Sequence, residues 1–265
     1  MFQLFNADCL EKMKDISSNS IDLILCDLPF GCLAGGYERP GQNEEVKKKI
    51  AKQTESACAW DVALDLEKFW TEIKRIRRNE HTPTLHFCTT KYGFQLYNSN
   101  PKEFRYDLVW DKGRGVSFLS ANKMPMRSHE MIYVFSKAGA YYNRIDISGN
   151  FTSWKSKSSE TKHGVQTYSS GMPNGWKDNG NDGTKRCALS IIHNPTSFGS
   201  GRHPTEKPVE LYKFLIERYC PPNGTVLDPT FGSCNSGRAC KELGRNYIGI
   251  EKEKSFFEKA KKSLN

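Results

Sequence analysis

No apolar run in this sequence approaches the roughly 18 residues a membrane-spanning helix needs, and the longest, Ile21 to Cys26, is the length of a strand. The opening residues Met1 to Asn6 lack the basic end and long apolar stretch of a signal peptide, so a cytoplasmic location with no membrane partner is expected. Nine cysteines are scattered along the chain without a single C-x-x-C pair. That spacing excludes the ordinary zinc and dithiol motifs, and the odd count reads as reduced thiols with no metal site. No internal repeat is evident. Apolar residues are also scarce, at 37% with a mean hydropathy of −0.65, which leaves little apolar surface to spare. What the chain has instead is positive charge. Lys and Arg outnumber Asp and Glu by 39 to 30, a net charge of +9, and such a balance favours a polyanionic partner such as nucleic acid.

The 265 residues suffice for one α/β domain with a smaller appendage. Strands are expected at Phe2 to Phe5, Ile21 to Cys26, Thr84 to Cys88, Tyr106 to Trp110 and Glu130 to Phe135. The second is almost continuously apolar, as in a buried parallel strand. Short and amphipathic helices are expected at Leu10 to Lys14 and Leu66 to Arg77; the latter places Leu66, Phe69, Trp70, Ile73 and Ile76 on one face. A stretch from Gly35 to about Lys52 reads as a loop or lid. Composition shifts at about Ala138 to Ser, Gly, Asn, Lys and Thr with isolated aromatics such as Trp154, Tyr168 and Trp176. Residues 138–196 are therefore expected to form an insertion that grips nucleic acid, with 1–137 and 197–265 forming the main domain. After Pro208 come a helix through Tyr219, a strand Thr225 to Leu227, a glycine-containing loop, a helix through Leu243, a strand Tyr247 to Ile250 and a basic terminal helix.

The strand, loop and helix start from Thr225 to Gly237 have the layout that lets a ligand approach the backbone at a sheet's carboxyl edge. Glu251 follows about 20 residues after Gly232, the spacing of an acid that bonds ribose hydroxyls. An ordinary strand-to-helix turn explains the glycines alone equally well; the strand, loop, helix, strand and terminal acid together favour nucleoside binding. Only fourteen residues follow Glu251, so the rest of such a sheet must come from earlier in the chain. The strand ending at Asp27 is the natural neighbour, which places Asp27 and Asp228 on one cleft. This order argues against a simple dinucleotide dehydrogenase. Alone, Asp27-Leu28-Pro29-Phe30 is a turn closing a buried strand.

Taken together these residues resemble the amino-group (N6-adenine and N4-cytosine) DNA methyltransferases of the class whose catalytic motif precedes the cofactor motif. The family's D-P-P-[YF] is similar to Asp27-Leu28-Pro29-Phe30, its D-P-F-x-G-[ST]-G to Asp228-Pro229-Thr230-Phe231-Gly232-Ser233-Cys234, and its H-P-T-x-K-P to His203-Pro204-Thr205-Glu206-Lys207-Pro208. Weaker matches are Asn6 to Leu10, Trp60-Asp61 and Ser128-His129-Glu130. Leu28 stands where proline is usual, Cys234 where glycine is usual, and Asn235 where a hydroxyl residue is common.

The resemblance implies a Rossmann-like, doubly covered α/β sheet with circularly permuted motifs, and S-adenosylmethionine as donor. It implies catalytic Asp27, Leu28, Pro29 and Phe30. Donor contacts fall to Asp8, Cys9, Asp27, Asp228, Phe231, Gly232, Ser233, Asn235 and Glu251, with Thr205 and Lys207 toward the donor's carboxylate. Residues 138–196 become the target-recognition region. An exocyclic amine is a poor nucleophile because its lone pair is delocalised into the ring; a carboxylate at Asp27 and the Leu28 carbonyl can each accept an amine hydrogen and free that lone pair. Phe30 offers a face to a flipped base, where one aromatic stack returns about 1–3 kcal/mol against an unstacking cost of a few. The initial aspartate favours N6-adenine in double-stranded DNA over N4-cytosine, the alternative. A nucleic-acid-binding relative without catalysis and an RNA substrate are further readings. A cognate restriction endonuclease and a homodimer are candidate partners.

Overall fold

The computed structural model describes residues 1–29, 61–116, 118, 121–148, 185–194 and 206–264. They fall into two compact units, Met1–Asn143 with Ser190–Asn265, and Arg144–Leu189.

The first unit is built on an eight-stranded sheet. In chain order its strands are β1 (Phe2–Asn6), β2 (Leu23–Cys26), β3 (Thr84–Cys88), β4 (Phe104–Val116), β5 (Arg127–Phe135), β8 (Ile191–His193), β9 (Thr225–Asp228) and β10 (Asn246–Glu251). Across the sheet the order is β1-β10-β9-β2-β3-β5-β4-β8. The pairs from β1 to β3 are parallel, while β5 runs antiparallel to both β3 and β4.

Six described helices contribute to the two buried layers: α1 (Cys9–Met13), α2 (Leu66–Ile76), α3 (Thr90–Ser99), α4 (Val209–Tyr219), α5 (Asn235–Glu242) and α6 (Lys254–Leu264). Alternation along β2 shows why both faces are covered. Leu23 and Leu25 join Leu85 and Phe87 beneath Leu211, Leu215 and Ile216 of α4. Ile24 and Cys26 point the other way, to Phe69, Trp70, Ile73 and Ile76 of α2. A strand buried on both faces must be apolar at every position, and β2 is. The α2 stripe read from the sequence is the stripe that is buried. Its first turn is capped by Asp65, whose carboxylate accepts from the backbone N–H groups of Glu67 and Lys68.

No periodic apolar pattern in the sequence announces α3. Thr89 caps it, accepting from Tyr92 N at 3.4 Å, but Gly93 interrupts its helical composition. That glycine has a packing reason: a Cβ there would lie 2.9 Å from the Tyr133 ring. The strands β4 and β5 both run beyond their expected apolar cores, because their outer residues pair with each other as a long antiparallel hairpin.

The composition shift at Ala138 also differs from the structural division. Ala138 N and Tyr141 N donate to the carbonyls of Glu80 and His81, and Asn143 N donates to that of Arg218. These bonds hold 138–143 on the first unit, and β8, inside the expected insertion, pairs with β4. Backbone pairing, invisible to composition, sets the boundary. The second unit contains a two-stranded antiparallel ladder of β6 (Ile147–Ser148) and β7 (Lys185–Arg186). The expected loop at Gly35 to Lys52 and the aromatics Trp154, Tyr168 and Trp176 lie outside the described residues.

Candidate active site

β9 leads through α5 to β10 on one side, whereas β2 leads to β3 on the other, so the connections diverge between β9 and β2. A parallel sheet opens a crevice at the carboxyl ends of two such strands. Asp27, one residue beyond β2, and Asp228, the last of β9, meet there as the sequence predicts. Thr230 Oγ1 donates to the Asp27 carbonyl oxygen at 3.0 Å and ties the two strand ends together. The crevice deepens into a cavity of about 370 Å³.

Asp8, Cys9, Asp27, Leu28, Pro29, Lys207, Phe231, Gly232, Ser233 and Glu251 all line this cavity. They come from five separate stretches of chain. Phe30 and Thr205 lie outside the described residues. Asp228 and Asn235 stand behind the wall. Ser236 Oγ donates to Asp228 Oδ2 at 2.5 Å and Thr230 N donates to Oδ1 at 3.1 Å, so its carboxylate stiffens the loop. Burial pushes the Asp228 carboxyl up to about 7. Asn235 Nδ2 donates to Glu206 Oε1 at 2.8 Å and to the Lys207 carbonyl at 2.7 Å, which fixes the segment carrying Lys207.

The Gly232 end of the cavity is held by Glu251. Its Oε2 accepts from Gly232 N at 2.9 Å and its Oε1 from Glu253 N at 2.8 Å. Burial raises its pKa. Each carboxylate oxygen keeps further acceptor capacity. Phe231 N donates to the Ile250 carbonyl at 3.1 Å, and the Phe231 ring fits a hollow that a Cβ at Gly249 would fill, 2.7 Å from Cδ1. At Cys234 the backbone is left-handed, φ 60° and ψ 32°. Glycine would adopt this freely, whereas an L side chain pays about 1–2 kcal/mol. The thiol is fully buried and 3.6 Å from the Tyr247 hydroxyl, so the departure from the usual glycine fills space behind the loop.

At the Asp27 end the structure joins Lys207, expected from the sequence toward the donor's carboxylate, to Asp27 and Glu130. Lys207, with a side chain only 3% exposed, donates from Nζ to Asp27 Oδ2 and lies 3.7 Å from Glu130 Oε2. The Phe87 ring lies 4.7 Å beneath the same ammonium. Lys112 Nζ donates to Glu130 Oε1. Burial acts to depress Lys207, but Asp27 and Glu130 outweigh it and hold its pKa above the usual value. Burial likewise acts upward on Glu130, yet Lys207 and Lys112 bring it below the ordinary carboxylate range. Burial raises Asp27, and Lys207 opposes it. Glu130 and Tyr212 line the cavity and had no assigned site role. The Ser128-His129-Glu130 match pointed to the first, whereas Tyr212 lies in the helix expected after Pro208 and carries no motif of its own. Asp61, noted beside Trp60, also lines the cavity and is 2% exposed.

Residues 21–262 match the N6/N4 family described as DNA methylase. The chain is 27% identical over 279 residues to the Type II methyltransferase M.HinfI of Haemophilus influenzae, covering 98% of this chain and 67% of that protein. It is 24% identical to the Type II methyltransferase M.HindIII of Haemophilus influenzae, over 96% of this chain and 92% of that protein. Among solved structures it resembles the M1.HpyAVI–SAM complex, with a TM-score of 0.58, 20% identity and all of both chains covered. It also resembles the cytosine-N4-specific PvuII DNA methyltransferase, with a TM-score of 0.62 and 14% identity over 97% of this chain and 84% of that one. These likenesses bear out the Rossmann-like methyltransferase fold.

Proposed function

The chain belongs to the N6/N4 DNA methylase family, and from that premise we propose that it methylates the N6 amine of adenine in double-stranded DNA, using S-adenosylmethionine. The observation that carries this reading is the Asp27 carboxylate, set beside the Leu28 and Pro29 backbone in a cavity whose other end is the Glu251 and Gly232 loop. S-adenosylmethionine supplies an electrophilic methyl group on a sulfonium centre.

The residues present fit such a donor. The ionisable lining is chiefly acidic, with Lys207 and Lys252 the only cations among the described residues, and a cavity of that sign attracts a cation. Glu251 would accept from the ribose hydroxyls, and Phe231, Gly232 and Ser233 would shape the wall around the donor. Asp8 and Cys9 also line the cavity, beside Glu251, whose carbonyl accepts from Ala7 N at 3.1 Å. Lys252 Nζ lies 3.2 Å from Asp8 Oδ2 and orients it.

At the other end Lys207 holds Asp27 Oδ2, which leaves Oδ1 to accept one hydrogen of the target amine. The Leu28 carbonyl accepts the second, so the nitrogen lone pair is withdrawn from the ring and becomes nucleophilic. Lys207 also opposes the burial that raises the Asp27 pKa, and so favours the anionic form that the role of acceptor requires. The Thr230 bond to the Asp27 carbonyl fixes the peptide that carries both acceptors. Phe30 would be the stacking face for the flipped base, and residues 138–196 would read the sequence. The initial aspartate of the tetrapeptide favours adenine.

The test is nucleoside analysis of DNA treated with the protein and S-adenosylmethionine. The expected product is 6-methyladenine; 4-methylcytosine without it would overturn the adenine assignment and leave the family reaction intact.

A further inference from the structure

Glu130 Oε2 is buried against the cavity and makes no hydrogen bond, although the Lys207 ammonium lies 3.7 Å away. A buried carboxylate oxygen without a hydrogen-bond donor is unusual and calls for an explanation. Its neighbour offers one. Lys207 spends its charge on Asp27 Oδ2, beside the atom that must face the target nitrogen. As a methyl group is added, that nitrogen becomes cationic, so a fully neutralised Asp27 would be a poorer electrostatic partner at the transition state. An ammonium has three N–H donors and a flexible stem, and a movement of roughly 1 Å would bring Lys207 to normal hydrogen-bond distance from Glu130.

We infer that Glu130 is a positioning residue: its free Oε2 takes over Lys207 when the target amine engages Asp27, unmasking the Asp27 charge where the methylated nitrogen turns positive. No bond is made or broken in this hand-over; the ammonium keeps its protons and exchanges one acceptor for another. Lys112, bonded to the other Glu130 oxygen, anchors the receiving carboxylate so that the lysine moves and the glutamate does not. This inference rests on the proposed amine methylation at Asp27.

The charged groups that face this pair come from every surrounding element. Asp27 is opposed by Lys207 and Lys112 and sits beside Glu130. Asp228, Tyr212, Tyr92 and the Cys26 and Cys88 thiols surround it. Arg127 faces Glu130. Removing the Glu130 charge deletes a neighbour that pushes Asp27 upward, so the acid limb of the reaction must move to lower pH.

The experiment uses the whole protein, tritiated S-adenosylmethionine and unmethylated bacterial genomic DNA in single-turnover assays from pH 5 to 9. Glu130→Gln, close to isosteric, is expected to lower the transfer rate about ten-fold, because a neutral acceptor bonds an ammonium roughly half as strongly as a carboxylate. Donor affinity should be unchanged and the acid limb displaced downward. In a Lys207→Gln background, Glu130→Gln should lower the rate no further on the alkaline plateau, where Asp27 is ionised in both proteins, since there Glu130 acts through Lys207. A Glu130→Gln protein with the wild-type rate and acid limb overturns the inference alone, and so does a loss of equal size in the Lys207→Gln background. A wild-type protein that transfers no methyl group to DNA overturns the reading on which the inference rests.

Discussion

Replacing Lys207 by Met isolates the electrostatic role of the ammonium. The Met side chain retains most of the stem packed over Phe87 but leaves Asp27 and Glu130 without the cation between them, and Lys112 and Arg127 remain on the Glu130 side. Removing one partner of a buried ion pair costs about 3–5 kcal/mol. The side chains of Asp27 and Glu130 are 24% and 18% exposed through the cavity, so the lower end, about 3 kcal/mol, applies at pH 8. The pH dependence has a definite sign. Burial already raises the Asp27 pKa in the folded protein and Lys207 lowers it, so loss of the lysine raises it further above the unfolded value. The folded state then binds more protons than the unfolded one, and stability falls as pH rises. The penalty is therefore largest at pH 8 and shrinks toward pH 5, where a proton substitutes for the ammonium. Urea unfolding at the two pH values measures this directly. With a slope of about 1–3 kcal/mol/M, the midpoint at pH 8 should fall by about 1 M or more and recover part of that loss at pH 5. A penalty equal at both pH values, or larger at pH 5, refutes the reasoning.

Asp27→Asn keeps an acceptor oxygen but removes its charge, so transfer should fall about 100-fold or more while DNA binding, followed by a gel-shift assay, is retained. Glu251→Gln exchanges a charged acceptor for a neutral one at the Gly232 loop, and calorimetry should show S-adenosylmethionine binding about ten-fold weaker. His86 is fully buried among Phe69, Trp70 and Phe135, and burial depresses its pKa to about 3. Because the unfolded chain takes up a proton there as pH falls below the ordinary histidine value, His86 costs stability progressively from about pH 6.5 downward. His86→Phe should remove about 2 kcal/mol of the loss between pH 7 and pH 5, and melting curves of the two proteins that stay parallel over that range would refute it.

Several parts of the fold were legible because one element carries its own signal. The apolar run before Asp27 announces a strand buried on both faces, and the α2 stripe announces the face it buries. The strand, loop and acid from Thr225 to Glu251 give the order of one half of the crevice. Chain order also required the missing strands to come from the amino-terminal half, and β2 beside β9 satisfies that requirement. By contrast, α3 was hidden because Gly93 lowers helix propensity for the sake of contact with Tyr133. The true extent of the first unit was hidden because β8 and residues 138–143 are held by backbone bonds that composition does not report.

At the site the division is the same. The sequence by itself determined which chemical groups the cavity has: the carboxylates of Asp27 and Glu251, the glycine loop, the lysine of the His203 to Pro208 motif. Only the tertiary structure decided what those groups do to one another. Lys207 lies 180 residues from Asp27 in the chain, and its ammonium binds Asp27 with Glu130 within reach because a sheet edge and the Asn235 side chain bring three distant segments together. Charge interactions act through space and depend on burial, so no spacing along the chain could have announced a lysine placed between two carboxylates.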